Sequence, residues 1–342
     1  MDSTSPTADG KRLVFRKWAW QGNVYVADFD AGRRSVTPPR RLSLNDGRTY
    51  PAAWTPDGKS VILESYADGH WRILKQSLSD GGVQPLVSGI NGTDTANEYV
   101  VGGAAVSPDG RWLLYLALPR PKAHYSETEG SGDVIPMARE IKRVPIEGGS
   151  SELVMKAATL GRMHCTHAPA SQCVIAERTS DLKQLVFTSI DVFKGRGSEL
   201  ARCDTDASRA IGYSWDVSPD GTRIAVINYS EAQIHVLDLN ERRMEDIRVQ
   251  GWDNLHSVNW TADGKGMLIE SATQEGSALL QVDLSGTAHV LWEQKGSFTW
   301  SLPYNEVFND VSTPGAIPSP DGRRLAIFDW KLNANMWMME NF

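Results

Sequence analysis

A four-residue turn of the form Ser/Thr-Pro/Ala-Asp-Gly occurs six times along this 342-residue chain, and no other feature constrains the fold so strongly. It spans Thr7 to Gly10, Thr55 to Gly58, Ser107 to Gly110, Ser218 to Gly221, Thr261 to Gly264 and Ser319 to Gly322. The aspartates Asp9, Asp57, Asp109, Asp220, Asp263 and Asp321 lie 48, 52, 111, 43 and 58 residues apart. The gap of 111 covers two periods, so a degenerate copy is expected near 165–172, where His167-Ala168-Pro169-Ala170-Ser171 precedes the apolar run from Cys173. Self-similarity at a fixed spacing of this size marks a repeat architecture. The turn chemistry is coherent: proline presets φ, aspartate bonds the backbone two residues on, and glycine takes the φ > 0 position.

Each turn is followed by a short β-rich apolar run, such as Val61-Ile62-Leu63, Ile224 to Ile227 or Leu325 to Phe328. Continuous apolarity over so few residues indicates strands buried on both faces. A further strand follows six to ten residues later in most copies, at Val24 to Val26, Ile73-Leu74, Ile234 to Leu237 and Met336 to Met338, and then a more polar outer strand. With the strand before each turn, a repeat holds four antiparallel strands. No segment sustains a 3.6-residue period, which excludes helical repeats. The 30 glycines and 17 prolines are spread along the whole chain, as many short elements require. Seven four-stranded units predict an all-β, seven-bladed β-propeller, a single domain over 1–342. The blades are expected at about 1–47, 48–97, 98–158, 159–206, 207–252, 253–298 and 310–342.

The Ser-Pro-Asp-Gly-Lys/Arg-x-apolar-apolar pattern resembles the WD40-like repeat of the TolB-type propellers, over essentially the entire chain. The closing Trp337 to Phe342, Lys194-Gly195-Arg196-Gly197 and Asn259 to Gly266 are similar to the C-terminal propellers of acidobacterial winged-helix regulators and serine/threonine kinases. That resemblance implies a bacterial signalling module, with a kinase or winged-helix domain upstream of this chain. The last repeat stops before a fourth strand, and the eight residues before Asp9 are too few to supply it. The expectation is an open seventh blade, or a natural N-terminus further upstream.

A net charge of -7 argues against nucleic acid as a partner. No run reaches 18 apolar residues, so no membrane span is expected, and the N-terminus has no signal-peptide pattern. The chain as written reads as soluble, and extracytoplasmic if an upstream anchor is missing.

The motif aspartates recur in one structural turn, which makes them fold residues rather than catalytic bases. His164-Cys165-Thr166-His167 with Cys173 admits three readings: a cross-strand disulfide Cys165–Cys173, two buried thiols, or a metal pair without a second half. His70, His124, His235, His256 and His289 fall at different strand depths. No nucleophile elbow, phosphate loop or dinucleotide fingerprint is present. Gly81-Gly82, Gly102-Gly103 and Gly148-Gly149 read as blade turns. No catalytic residue, metal ligand or cofactor site is assigned on these grounds.

The longest interruptions, Pro119 to Met137 and Gly296 to Gly315, fall on the face opposite the Asp-Gly turns. That face would carry Trp18, Trp20, Tyr66, Tyr125, Trp252, Trp300, Tyr304 and Phe308. Aromatic anchors with a polar rim are what interfaces use, and loops on a rigid scaffold often hold function. The functional expectation is a non-catalytic recognition or scaffold module for a protein, peptide or glycan. The competing one is a propeller-type polysaccharide lyase or glycosidase at the channel mouth. Of the 12 tryptophans, Trp54, Trp215, Trp260, Trp112, Trp330 and Trp337 are expected to pack between blades.

Overall fold

The computed structural model describes residues 4–7, 11–42, 48–67, 70–88, 98–119, 139–157, 162–181, 183–204, 213–229, 232–295 and 315–340, and the account below concerns these. Every regular element among them is a strand. The N-terminal part holds β1 (Thr4–Pro6), β2 (Arg12–Asp30), β3 (Ser35–Val36) and β4 (Arg40–Arg41). Five sets of four follow. They are β5 (Arg48–Trp54), β6 (Ser60–Ala67), β7 (His70–Ser77) and β8 (Val83–Ser88), then β9 (Glu98–Val106), β10 (Trp112–Pro119), β11 (Arg139–Pro145) and β12 (Glu152–Ala157). The third set is β13 (Met163–Cys165), β14 (Cys173–Arg178), β15 (Gln184–Asp191) and β16 (Gly195–Asp204), and the fourth is β17 (Tyr213–Val217), β18 (Arg223–Asn228), β19 (Gln233–Asp238) and β20 (Arg243–Arg248). The fifth is β21 (Leu255–Trp260), β22 (Gly266–Ala272), β23 (Gly276–Asp283) and β24 (Ala288–Lys295), after which come β25 (Ala316–Pro318) and β26 (Arg324–Glu340). No helix among the described residues is long and apolar enough to cross a membrane.

Four of the five sets are separate four-stranded antiparallel sheets. The set β5 to β8 is joined through one parallel bridge, Gly22 to Arg48, to a sixth unit in the order β25-β26-β2-β4. That sixth unit corrects the expected blade count. Seven turns are present, but among the described residues the four-stranded units number six, because the two chain ends share one.

The reason lies in the length of β2 and β26. Leu13 to Phe15 and Val24 to Val26 read as two strands of a first blade, yet they belong to one strand uninterrupted from Arg12 to Asp30. Likewise Leu325 to Phe328 and Met336 to Met338 lie in one strand. Neither stretch contains a proline, and the aromatic residues between the supposed strands favour extended backbone. β2 and β26 pair antiparallel in unbroken register from Arg12 opposite Glu340 to Asp28 opposite Arg324. Residues 22–30 therefore supply the third strand of the blade whose first two strands are C-terminal, and among the described residues that blade has four strands. The first turn, at Thr7, joins β1 to β2 in the outlying part of this pair, where the Arg12 amide donates to Thr7 Oγ1 at 3.1 Å. Asp9 itself lies outside the described residues.

The core sits between blades. One apolar cluster joins Val24, Val26 and Ala326 to Trp54, Val61 and Leu63, and another joins Leu268 and Leu279 to Phe29, Leu325 and Ile327. Four more clusters link the remaining neighbours around the ring. Second strands are buried on both faces, as at Ile224 to Ile227, whereas the outer β20 is exposed at most positions. Trp54, Trp215 and Trp260 belong to these clusters. Trp337, expected to do the same, is 52 % exposed with Met336, Met338 and Met339 on the outlying stretch of β26.

The repeated turn has one hydrogen-bond network. In Ser107-Pro108-Asp109-Gly110 the serine hydroxyl donates to Asp109 Oδ1 at 2.6 Å and accepts the Trp112 amide at 3.0 Å, while Asp109 Oδ1 accepts the Arg111 amide at 3.1 Å. The same bonds occur at Thr55 with Asp57, Ser218 with Asp220, Thr261 with Asp263 and Ser319 with Asp321. The Thr55 hydroxyl, then the Lys59 amide, hold the Asp57 carboxyl below its ordinary range, and Ser319 and Arg323 do so for Asp321. The degenerate copy keeps the frame with one residue more: Thr166 Oγ1 accepts the Gln172 amide at 3.0 Å. An eighth instance, without proline or glycine, closes β14 to β15 at Thr179 and Asp181.

Candidate functional site

The first strand of each blade lines the central channel, and at the end ringed by the Asp-Gly turns the channel widens into a cavity of about 580 Å³. All six inner strands contribute to its wall, through Trp54, Ala105, His164, Asp216, Trp260 and Ile317 among others. The volume falls within the range typical of small-ligand sites. One side is apolar and small, built from Ala52, Ala53, Ala104 and Ala105. The other carries Arg162, His164, His167, Asp216 and Asn259.

Asp216 organises the polar side. Its Oδ1 accepts the Val217 amide at 2.9 Å and lies 2.9 Å from His164 Nδ1. Its Oδ2 accepts the Trp260 amide at 2.9 Å and the Asn259 amide group at 3.4 Å. In the neutral imidazole this places the proton on Nδ1, because only a donor satisfies the carboxylate. The Trp215 ring packs against the imidazole, edge on, with centroids 4.5 Å apart. His164 Nε2 is then left as a buried acceptor with no hydrogen-bond partner. His167, three residues on, is held below its ordinary pKa by burial, against the pull of Asp216.

Arg162 is the most costly residue of the site. It is only 8 % exposed, and its Nε is buried without a hydrogen-bond partner. Burial pulls its pKa below the ordinary value, and the nearby charge of Glu64 opposes that. Glu64 is otherwise engaged. β9 carries a register shift beside Leu116, with Gly103 at φ 69°, and there the Ala104 amide donates to Glu64 Oε1 at 2.8 Å. A Cβ on Gly103 would come within 2.8 Å of Leu116 Cδ1, so glycine is required on both counts. Gly102-Gly103 is thus a bulge inside a strand, not the blade turn that its composition suggested. Burial pushes the Glu64 carboxyl above its ordinary pKa, which weakens it as a counter-ion for Arg162.

Cys165 and Cys173 stand opposite each other in the β13–β14 register and are joined by a disulfide with S–S 1.99 Å. The bond closes the base of the turn that carries His167, Ala168 and Pro169 along the cavity rim. Cys203 is a buried free thiol. Among the described residues no group of three or more His, Cys, Asp or Glu side chains is placed to hold a metal ion. His235 pairs with Asp246 at 2.7 Å and His256 stacks on Tyr229 at 5.4 Å, both away from the cavity lining.

The aromatic residues expected on the long-loop face have other surroundings where they are described. Tyr66 packs on Trp71 at 5.3 Å with the Arg48 guanidinium 5.6 Å from its ring centre. Trp252 is partly buried against the apolar cluster that holds Val249 and Leu255. Trp18 and Trp20 lie in β2, but their side chains are outside the description, as are Tyr125, Trp300, Tyr304 and Phe308 altogether. The motif aspartates Asp57, Asp109, Asp220, Asp263 and Asp321 occupy the turns, where Asp220 and Asp263 reach the cavity rim. Arg162 and Asp216 carry the site, and the sequence reading did not single them out. The available signal was the alternation Arg162-Met163-His164, which puts two polar side chains on the channel side of a strand whose middle residue is buried.

No family model matches the chain, and no curated protein matches it either. Solved structures do. A TolB from Agrobacterium tumefaciens is 17% identical, covers 91% of this chain and 98% of its own, and superposes with a TM-score of 0.57. An oligogalacturonate lyase in complex with manganese is 14% identical over 97% of this chain and 96% of its own, with a TM-score of 0.51. A structure of a nidogen/laminin complex is 11% identical, covering 80% of this chain and 94% of its own, at a TM-score of 0.54. Identities this low speak for fold alone. With no helix, four-stranded antiparallel sheets around a channel and these neighbours, the chain has the TolB-like β-propeller fold.

Proposed function

We propose that this propeller is a non-catalytic recognition module, which takes a group of a protein, peptide or glycan partner into the central channel. The observation that carries the reading is the cavity walled by all six inner strands, with small apolar residues on one side and unsatisfied polar groups on the other. Buried polar groups in native proteins are nearly always satisfied, so unsatisfied atoms gathered on residues that line one cavity support a partner that arrives from outside. Entry from the Asp-Gly face replaces the long-loop face as the primary surface, while Trp18, Trp20, Tyr125, Trp300, Tyr304 and Phe308 remain candidates for secondary contacts. Participation in a larger bacterial regulator is consistent with a propeller that binds without turnover.

A second reading rests on one observation: a histidine of the cavity lining, held by a carboxylate and with its other nitrogen unpartnered among the described residues, is also how a general base is presented. Under that reading the protein is a polysaccharide lyase or glycosidase with His164 as the base. One experiment separates the two. Peptide and acidic-glycan arrays are probed for binding, and each retained ligand is incubated with protein and checked for products by mass spectrometry. Retention without conversion is the expected result. Conversion that disappears in His164→Gln would replace the recognition reading with the enzymatic one.

A further inference from the structure

The recognition reading leaves open which chemical group enters the channel, and the unsatisfied atoms of its lining residues, Arg162 Nε, His164 Nε2 and Asn259 Oδ1, narrow it. Arg162, just before β13, and His164, on it, are two residues apart and line the same cavity. One offers a buried N–H donor on a fixed positive charge, and the other offers an acceptor lone pair. The charges of Glu64 and Asp216 act on the Arg162 guanidinium, but among the described residues neither forms an ion pair with it, and Glu64 Oε1 accepts the Ala104 amide. An arginine fork of this kind matches a carboxylate better than any other common group, since two parallel N–H bonds meet two oxygens. The acceptor beside it calls for an N–H or O–H close to that carboxylate. In the same lining, Ala52, Ala53, Ala104 and Ala105 present no polar side-chain atom, so a ligand with hydroxyls all round would leave some of them unpaired there.

We infer that Arg162 and His164 form a terminal subsite for the C-terminal residue of a peptide: the guanidinium pairs with the free carboxylate, His164 Nε2 accepts the last peptide N–H, and the alanine wall receives the last side chain. Asp216 is a positioning residue in this scheme. It fixes the imidazole so that Nε2, not Nδ1, faces the ligand. The inference rests on the channel being the binding site. It goes further by naming a free carboxylate, which an amidated peptide end lacks.

The test uses the whole chain labelled with 13C at alanine methyls, so that Ala52, Ala53, Ala104 and Ala105 report any occupant regardless of its charge. Three probes are titrated: a randomised N-acetylated tetrapeptide mixture with free C-terminal acids, the same mixture amidated, and trigalacturonate. The acid mixture is expected to shift these methyls at concentrations about tenfold or more below the amide mixture, the scale of one charge-assisted pair. In Arg162→Met that preference disappears, while the empty variant is at least as resistant to urea as the parent, because an unpaired buried charge has been removed. A purely structural arginine would instead show a lower urea midpoint. Equal shifts with acid and amide would overturn the carboxylate inference and leave channel recognition standing. Shifts with trigalacturonate alone would assign the subsite to an acidic glycan and overturn the peptide. Silence of all four methyls with every probe at millimolar concentration would overturn both readings.

Discussion

Glu270 offers a test of the fold's internal electrostatics that needs no ligand. It lies on β22 beside Gly315, where a Cβ would fall 2.6 Å from Glu270 Cβ. Burial, and secondarily the negative charge of Asp329, raise its pKa from 4.5 to about 8. The folded protein therefore keeps a proton on Glu270 over a pH range in which the unfolded chain has released it. Between those values the native state binds more protons, so stability falls as pH rises. The loss begins near pH 4.5 and is complete a little above pH 8. At about 1.4 kcal/mol per pH unit the full span is on the order of 5 kcal/mol. Glu270→Gln keeps the shape and hydrogen-bonding character of the neutral acid and cannot ionise. Urea denaturation of both proteins from pH 5 to 9 should give curves that coincide near pH 5 and diverge upward in pH, with the variant more stable by several kcal/mol at pH 9. Parallel curves, or a variant less stable at every pH, would show that Glu270 is ionised in the fold and would refute the argument.

The turn network predicts that Ser107→Ala, which removes a charge-assisted bond and strands the Trp112 amide in a nearly fully buried position, costs about 2 to 3 kcal/mol in the urea midpoint. The depressed carboxyls at Asp57 and Asp321 add stability that is present above their ordinary pKa of 3.8 and vanishes as pH falls through the lower folded values, so acid unfolding should begin below about pH 4 and move to higher pH in Thr55→Val. Deleting residues 1–7 should change the melting temperature by a few degrees at most, whereas deleting residues 1–30 removes a whole strand of the closing blade and should abolish the cooperative transition in calorimetry. Replacing Cys165 and Cys173 together by serine should cost about 2 to 3 kcal/mol, the chain-entropy value for so short a loop, read as a lowered urea midpoint.

The propeller was legible because its information is local and repeated. A turn such as Ser218 to Gly221 specifies its own hydrogen bonds within six residues, and the apolar run after it specifies a doubly buried strand. Closure was not legible by the same means. Whether Leu13 to Phe15 and Val24 to Val26 are one strand or two depends on a partner more than 300 residues away, since Tyr25 pairs with Ile327 and Phe15 with Trp337. Counting turns assumed that each begins a blade. The turn at Thr7 begins a hairpin of the closing pair instead, and the one at Thr179 closes a second hairpin inside a blade.

The candidate site follows the same division, and this explains why aromatic residues drew the sequence reading while the channel residues did not. Tyr66 and Trp252 stand out in a list because they are large, yet size alone equally suits packing, and Trp71 and Leu255 supply that packing. Asp216 has no distinguishing neighbour in the sequence. Its role comes from convergence: the imidazole reaches it from β13, and the Trp260 and Asn259 nitrogens reach it from β21, across two blade boundaries. A ring of blades brings one position of every repeat to the axis, so any departure from the small or apolar residues that fill a channel is multiplied there. Ala52 and Ala104 obey that rule, while Arg162 and His164 break it on the same strand. Breaking it costs stability, through a buried cation that the charges of Glu64 and Asp216 offset only in part. Nothing in the turn or in the inter-blade core demands that cost, and this is the physical ground of the proposed channel ligand.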